Sequence, residues 1–310
     1  MKSEIRQDYI QNKYVIIAPK RGRRPHDLEL PQASISTGEK NCIFCPPKIG
    51  QAGRLITTVF LPGKSRGWLI KVIRNKFPAV SKDNPRAYGR QEVVIETPDH
   101  LQEVENLSDS HLVKILEIYA ERTKIISRYK KIEYILIFKN HGGAAGASLR
   151  HAHSQIFATQ FLPPHLKDKS QRTRDYKLQN GSCVYCDVLK KEKRGPRAVF
   201  EDKNFLVFCP WAPMHNYEIW LMPKRHVDNI SLLTKAEFFS LAKMLKKVLN
   251  KINQLNLPYN YYFHQVINDN DQHLYLKVTP RGSVWAGVEI GSGLIVNPIS
   301  PEEAARFYRR

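Results

Sequence analysis

Between Asn140 and Gln155 the chain reads Asn-His-Gly-Gly-Ala-Ala-Gly-Ala-Ser-Leu-Arg-His-Ala-His-Ser-Gln. A loop rich in glycine and alanine leads into two imidazoles one residue apart, and then an amide. If residues 151 to 155 are extended, His151, His153 and Gln155 share one face, because strand side chains alternate with period two. Small residues such as Gly142 and Gly146 let the backbone approach a phosphate closely, and Ser148 adds a hydroxyl donor. The stretch reads as a phosphate-handling site.

A second chemistry is carried by the cysteines. Four of the five form Cys-x-x-Cys pairs, Cys42/Cys45 and Cys183/Cys186, and Cys209 stands alone as an expected free buried thiol. Zinc takes tetrahedral sulfur and nitrogen ligands, and two thiols with two distant histidines suit a closed structural site. The sets expected are Cys42, Cys45, His100 and His151 in the first half, and Cys183, Cys186, His226 and His273 in the second. About two zinc ions per chain follow from them. A redox role for the pairs would call for a thioredoxin-like strand–helix–strand context, which the sequence lacks.

The elements that must position these groups follow from periodicity. Strands are expected near 13–18, 68–73, 91–97, 134–138 and 155–158, with an amphipathic helix from about 109 to 129 opened by Ser108. The second half repeats the series: Cys-x-x-Cys, a strand at 217–222, a histidine, a helix from Thr234 to about 254, strands at 261–265 and 272–277, and a histidine again. Such repetition implies two related halves. A boundary is expected in the charged, apolar-poor stretch from Pro163 to Ser182, giving a catalytic unit at 1–165 and a second unit at 166–310 with a degenerate site. A short terminal helix is expected to begin near Pro301.

The repeat separates the two histidines. Aligning His151 with His273 sets His153 opposite Tyr275 and Gln155 opposite Lys277. His151 is therefore read as a metal ligand and His153 as the chemical group. An imidazole can attack phosphorus and leave again, dividing one displacement into two. Gln155 could donate to a non-bridging phosphate oxygen and stabilise transition-state charge. Among the other histidines, His141 inside the glycine loop is the one to watch.

Composition sets the limits. The 310 residues suffice for one large or two ordinary domains, and 42% hydrophobic content suits a packed core. No apolar run approaches the ~20 residues that cross a bilayer, and the first residues lack a signal-peptide core, so a soluble cytoplasmic protein is expected. A formal charge of +20 favours anionic partners without choosing among them.

The run from Asn140 to Gln155 resembles the active-site motif of the galactose-1-phosphate uridylyltransferase family, within the histidine-triad superfamily. The resemblance extends over nearly the whole chain. It takes in Arg21 and Arg24 before Pro25, the Cys42/Cys45 pair, Asn75 with Phe77-Pro78-Ala79, Pro98-Asp99-His100, the Pro280-Arg281 turn, Trp285-Ala286-Gly287 with Glu289, and Ser300-Pro301-Glu302-Glu303.

The resemblance implies an α+β fold of two histidine-triad-like domains, each an antiparallel sheet with packed helices, and a homodimer. It also implies a two-step transfer. A nucleoside diphosphate hexose, expected here to be UDP-glucose, gives its nucleoside monophosphate to His153, and hexose 1-phosphate then takes it. Phosphate and nucleotide contacts would fall to Arg21, Arg24, Asn75, Asn140, Ser148 and Gln155, and the hexose contact to Glu289. Ala152 stands where uridylyltransferases usually have proline. His273 with Tyr275, and Asn297-Pro298, look closer to the adenylyltransferase branch that includes ADP-glucose phosphorylase, whose acceptor is inorganic phosphate. Two other functions suit parts of the sequence: a histidine-triad nucleotide hydrolase, and a non-enzymatic zinc-containing nucleic-acid binder.

Overall fold

The computed structural model describes residues 2–23, 38–61, 63 and 67–310. A hairpin comes first, β1 (Glu4–Gln7) and β2 (Tyr14–Ile17). The strands β3 (Leu55–Phe60), β4 (Trp68–Arg74) and β5 (Gly89–Ile95) follow, then helix α1 (Asp109–Ile126), β6 (Tyr134–His141) and β7 (His153–Thr159). Next are α2 (Pro164–Asn180), α3 (Val184–Lys193), β8 (Ala198–Glu201), β9 (Phe205–Phe208) and β10 (Ile219–Pro223). Helix α4 (Lys235–Gln254), β11 (Tyr259–His264), β12 (Tyr275–Pro280), α5 (Gly287–Ser292), β13 (Ile295–Asn297) and α6 (Pro301–Arg309) come last.

Ten strands form one antiparallel sheet in the order β3-β4-β5-β7-β6-β11-β12-β10-β9-β8. Read inward from its two edges, the first five strands and the second five have the same order. The repeat in the sequence is thus a repeat in topology. The two sets meet where β6 pairs with β11, with Asn140 opposite Asn260 and Phe138 opposite Tyr262. A separate small sheet sets β2 between β1, antiparallel, and β13, parallel.

Period-two alternation decides which side chains go where. On one face Ile135, Ile137, Ile156, Tyr261, Phe263, Leu276 and Val278 pack in the main core with α1 and α4. In α4, Leu241, Leu245, Val248, Leu249 and Ile252 fall on one helical stripe, and a Thr234/Glu237 capping box fixes its start. Each such side chain, fully buried, contributes roughly 1.5–3 kcal/mol. On the opposite face the Cys42–Cys45 turn packs over Ile73, Val93 and Ile95. In the second half, α3 packs over Leu206, Phe208, Trp220 and Met222 in the same way.

The expected α+β architecture of antiparallel strands and helices is what the structure shows. The stretch expected as a charged connector instead contains the 17-residue helix α2, which begins at Pro164 and is capped by Gly181 in the left-handed region. Its buried residues are Leu166, Lys169, Ser170 and Thr173. They keep helical spacing, but three of the four are polar, so a search for apolar periodicity passes over them.

Candidate active site and metal centres

The turn Asn41–Cys45 brings both sulfurs beneath β7, where they meet two imidazoles. Cys42 Sγ and Cys45 Sγ lie 3.6 and 3.5 Å from His151 Nδ1, and Cys45 Sγ lies 3.5 Å from His100 Nδ1. All four residues are buried, and their ligand atoms lie within 4.8 Å of one another. A tetrahedral zinc with bonds of about 2.3 Å to sulfur and 2.0–2.1 Å to nitrogen would set sulfur and nitrogen about 3.6 Å apart. The second nitrogen of His151 donates to the Thr97 carbonyl at 2.7 Å, which leaves Nδ1 as a lone-pair ligand. Burial, and then the Cys42 sulfur beside it, push the Cys45 thiol up to about 12. A pair of thiolates here would need a cation. The donor set fits zinc.

In the second half Cys183, Cys186 and His226 form a cluster of the same kind. His226 donates from Nε2 to the Asn270 carbonyl at 2.9 Å and turns Nδ1 to the Cys186 sulfur at 3.4 Å. His273, the expected fourth ligand, is not among the atoms of that cluster. Its ring stands 5.0 Å from that of His226, much as His151 stands 5.5 Å from His100. His273 Nδ1 donates to the Leu274 carbonyl, and its buried Nε2 has no hydrogen-bond partner among the described residues. An orphaned buried imidazole nitrogen next to the ring of a cluster histidine is consistent with His273 as a neighbour of that metal site.

His153 opens β7 and packs edge-on against Phe44 at 5.3 Å. Its Nδ1–H donates to the His151 carbonyl at 2.8 Å, so Nε2 carries the lone pair. Burial first, then the Lys139 ammonium, hold its pKa below the ordinary value, and the ring is neutral. A cavity of about 340 Å³ lies over it, lined also by Glu103, Asn140, His141, Gly142, Gly143 and Arg150. His141 Nδ1 lies 3.4 Å from Glu103 Oε2, and its ring stacks on Tyr259. Burial opposes it, but Lys139 and His141 hold the Glu103 carboxyl below its usual range.

The glycine loop has a backbone that explains its sequence. Gly142 takes φ 82° and ψ 153°, a region open to glycine, and Gly146 is left-handed at φ 86°. A Cβ on Gly142 would meet Pro258 at 3.0 Å. Asn140 and Asn260 pin the loop: Asn260 Nδ2 donates to Asn140 Oδ1 at 2.8 Å and to the Ala145 carbonyl at 2.7 Å. Gly142→Ala is expected to cost about 1–3 kcal/mol through strain alone. Chemical denaturation should show that loss together with weaker nucleotide binding.

Asn75 and Gln155 form a second group on the same face. Gln91 Nε2 donates to Gln155 Oε1 at 2.9 Å, which leaves the Gln155 NH₂ as a free donor for a ligand. Asn75 closes its own turn by accepting from Phe77 N at 2.9 Å and lines a groove with Gln91. Ser148 is exposed at the end of the loop. Arg21 and Glu289 belong to another part of the molecule, on the segments flanking β2 and β13, and do not line the His153 cavity. Glu289 accepts from Ala286 N at the start of α5. Arg24 lies outside the described residues.

The sequence reading missed a buried polar network behind His153. Lys139 Nζ bonds Glu96 Oε2 at 2.6 Å and the His153 carbonyl at 3.2 Å. Tyr119 Oη bridges Glu96 Oε1 at 3.1 Å and Ser154 Oγ at 2.6 Å. The signal was available, since Lys139 follows Ile135 and Ile137 at period two and so occupies a core position. Register makes Phe263 the equivalent of Lys139 in the second half, so among the described residues no lysine holds that position beside Tyr275. Removing one partner of a buried pair costs about 3–5 kcal/mol, because the other charge is stranded. Lys139→Met should show that loss on urea denaturation, and adding Glu96→Gln should recover part of it.

An antiparallel sheet with a neutral histidine at a glycine loop and a Cys₂His₂ centre one residue away defines a nucleotidyl-transfer class. The profile described as "Galactose-1-phosphate uridyl transferase, N-terminal domain" matches residues 1–163, and "Scavenger mRNA decapping enzyme C-term binding" matches 182–284. An ADP-glucose phosphorylase of Arabidopsis thaliana is 32% identical over 331 aligned positions, covering 99% of this chain and 92% of its own. A galactose-1-phosphate uridylyltransferase of Thermotoga maritima is 33% identical, covering 76% of this chain and 82% of its own. Among solved structures, an ADP-glucose phosphorylase from Arabidopsis thaliana with bound ADP-glucose superposes with a TM-score of 0.88 at 31% identity, covering 100% and 99% of the two chains. A uridylyltransferase gives 0.75 at 28%, covering 99% and 98%.

The chain belongs to the galactose-1-phosphate uridylyltransferase family. It is an enzyme, a nucleotidyltransferase.

Proposed function

We propose that the chain carries a nucleoside monophosphate from a nucleoside diphosphate hexose to an acceptor through a covalent bond to His153, with an ADP-hexose as donor and inorganic phosphate as acceptor. The observation that carries it is the hydrogen bond from His153 Nδ1 to the His151 carbonyl, which directs the lone pair of Nε2 outward beside the glycine loop. Nε2 attacks the phosphorus bearing the nucleoside. A phosphorus–nitrogen bond forms, the bond to the hexose 1-phosphate oxygen breaks, and hexose 1-phosphate leaves. An oxygen of inorganic phosphate then attacks the same phosphorus and returns Nε2, with a nucleoside diphosphate as product.

Gln155 and Ser148 would donate to the non-bridging oxygens, and the loop amides would cradle them. Zinc held by Cys42, Cys45, His100 and His151 would fix the strand from which His153 projects. Zinc at Cys183, Cys186, His226 and His273 would brace the second half. The halves divide near 165/166, and Tyr275 in place of a second nucleophile leaves the later half without chemistry. Since Arg21 and Glu289 do not line the His153 cavity of their own chain, we read the homodimer as the arrangement that would carry them to a partner's site.

The donor and acceptor are supported by the extent of the likeness, since the Arabidopsis ADP-glucose phosphorylase matches almost end to end. The rival within the family is uridylyl transfer to hexose 1-phosphate. Enzyme labelled with ADP-glucose carrying ³²P next to adenosine should lose its acid-labile label to phosphate, giving ADP. Labelling by UDP-glucose, with release by hexose 1-phosphate alone, would establish the rival. Release at one rate with or without either acceptor would make it a hydrolase and end both.

A further inference from the structure

A second cavity lies away from His153. It occupies about 590 Å³ on the face of the sheet opposite α1 and α4, across the β6–β11 join, and shares only Asn140 with the cavity over His153. None of the residues given a catalytic or metal role lines it. We propose that this cavity is a second binding site, taken by a phosphate monoester of a sugar or nucleoside whose phosphate pairs with Lys169.

Charge comes first. The cavity is lined by Lys13, Lys169, Lys277 and Arg281 against Asp8 and Glu218, an excess of two positive groups. Both carboxylates already have partners within the chain. Asp8 Oδ1 accepts from the backbone of Ile10 and Gln11 at 3.0 and 2.9 Å. Glu218 accepts from Trp220 Nε1, Met214 N and Lys277 Nζ at 3.0, 3.0 and 2.7 Å. The neighbouring histidines add no charge: burial pushes His215 down to about 4 and His264 well below its usual value.

Lys169 is the unusual group. It is 6% exposed, projects from α2, and its Nζ donates to Tyr275 Oη at 2.7 Å. The rings of Tyr275, Tyr185 and Trp220 lie 5.2, 5.5 and 5.9 Å from it. Among the described residues no carboxylate lies within 4 Å of it. Burial is the main cause that brings its pKa down to about 8, so it still carries its charge at neutral pH. Asp8 and Glu218 act on it only from a distance, and a buried ammonium with no anion in contact is costly, a cost that a bound anion lowers.

The excess of two matches a phosphate monoester, which carries about −1.5 to −2 near pH 7. Phosphate alone would leave most of the space empty, whereas 590 Å³ suits a drug-sized or sugar-sized ligand. Leu136, Phe138 and Phe157 give one apolar wall. Trp285, stacked with His215 at 5.4 Å and 9°, offers a flat ring to a sugar or base.

The test is calorimetric titration of the zinc-loaded full chain with inorganic phosphate, glucose 1-phosphate and AMP. Wild type, Lys169→Met, Lys169→Arg and Leu136→Trp are compared, and ADP-glucose labelling of His153 is measured separately on each. The expected result is one class of sites besides that at His153. Its Kd rises about 10- to 100-fold in Lys169→Met, the scale of a lost charge-assisted bond. It is kept in Lys169→Arg and blocked in Leu136→Trp, with labelling unchanged throughout. Tighter binding of glucose 1-phosphate or AMP than of phosphate supports the sugar or nucleoside body, and equal binding overturns that part. Unchanged binding in Lys169→Met, or in Leu136→Trp should the first variant not fold, overturns the site. So does a wild type that binds only where labelling of His153 competes.

Discussion

Replacing His153 with alanine is expected to abolish covalent labelling by nucleotide sugar and to reduce turnover by about four orders of magnitude or more. Loss of a nucleophile acts on that scale in enzymes with covalent intermediates. The size follows from the lack of a substitute. His151 turns its Nδ1 toward Cys42 and Cys45 and uses its Nε2 on the Thr97 carbonyl. His141 faces the same cavity but is engaged with Glu103 and Tyr259. The variant should still fold, because His153 makes one side-chain hydrogen bond and the β5 and β6 ladders on either side of β7 do not depend on it. Quench-flow labelling with ³²P nucleotide sugar, beside a thermal melt, checks both halves. A stable His153→Ala protein that still takes up label would refute the assignment.

Removing the metal ligands should have the second large effect, and should separate the two centres. Metal analysis is expected to find about two zinc ions per chain. Cys42→Ser should lose one, lower the melting temperature, and slow labelling about 10- to 100-fold, the range seen when supports of a site are removed. The path is short: the metal fixes His151, the His151 carbonyl holds His153 Nδ1, and that bond directs Nε2. Cys183→Ser should lose the other ion and stability, with labelling little changed, since α3 braces the far end of the sheet. Closing a structural zinc site contributes about 10 kcal/mol or more in small zinc modules, against total domain stabilities of about 5–15 kcal/mol. Chelation should therefore unfold part of the chain. Equal labelling rates in Cys42→Ser and wild type would remove the proposed link between metal and nucleophile.

Much of this arrangement could be read from residues in order. The spacing of His151, His153 and Gln155 put them on one face, and β7 carries His153 and Gln155 together. The ligand set Cys42, Cys45, His100 and His151 converges as its chemistry requires. These are features of type and short spacing, which strand geometry turns into position without help from the rest of the chain. The repeat of the strand order was legible for the same reason.

Only the tertiary structure decided the rest. It made one sheet of two sets of strands, because β6 and β11 present unpaired edges that pair with each other. The charged stretch after Pro163 became a helix because its buried stripe is Lys169, Ser170 and Thr173, which no apolar pattern reveals. Lys139 found Glu96 across 43 residues. The same folding kept Arg21 and Glu289 out of the cavity over His153, and set Lys169 at another cavity with no carboxylate of the described residues within 4 Å of it. Sequence fixes which groups can do chemistry, since that is a property of side chains. Which of them meet depends on strand pairing between distant segments, and no local signal carries it.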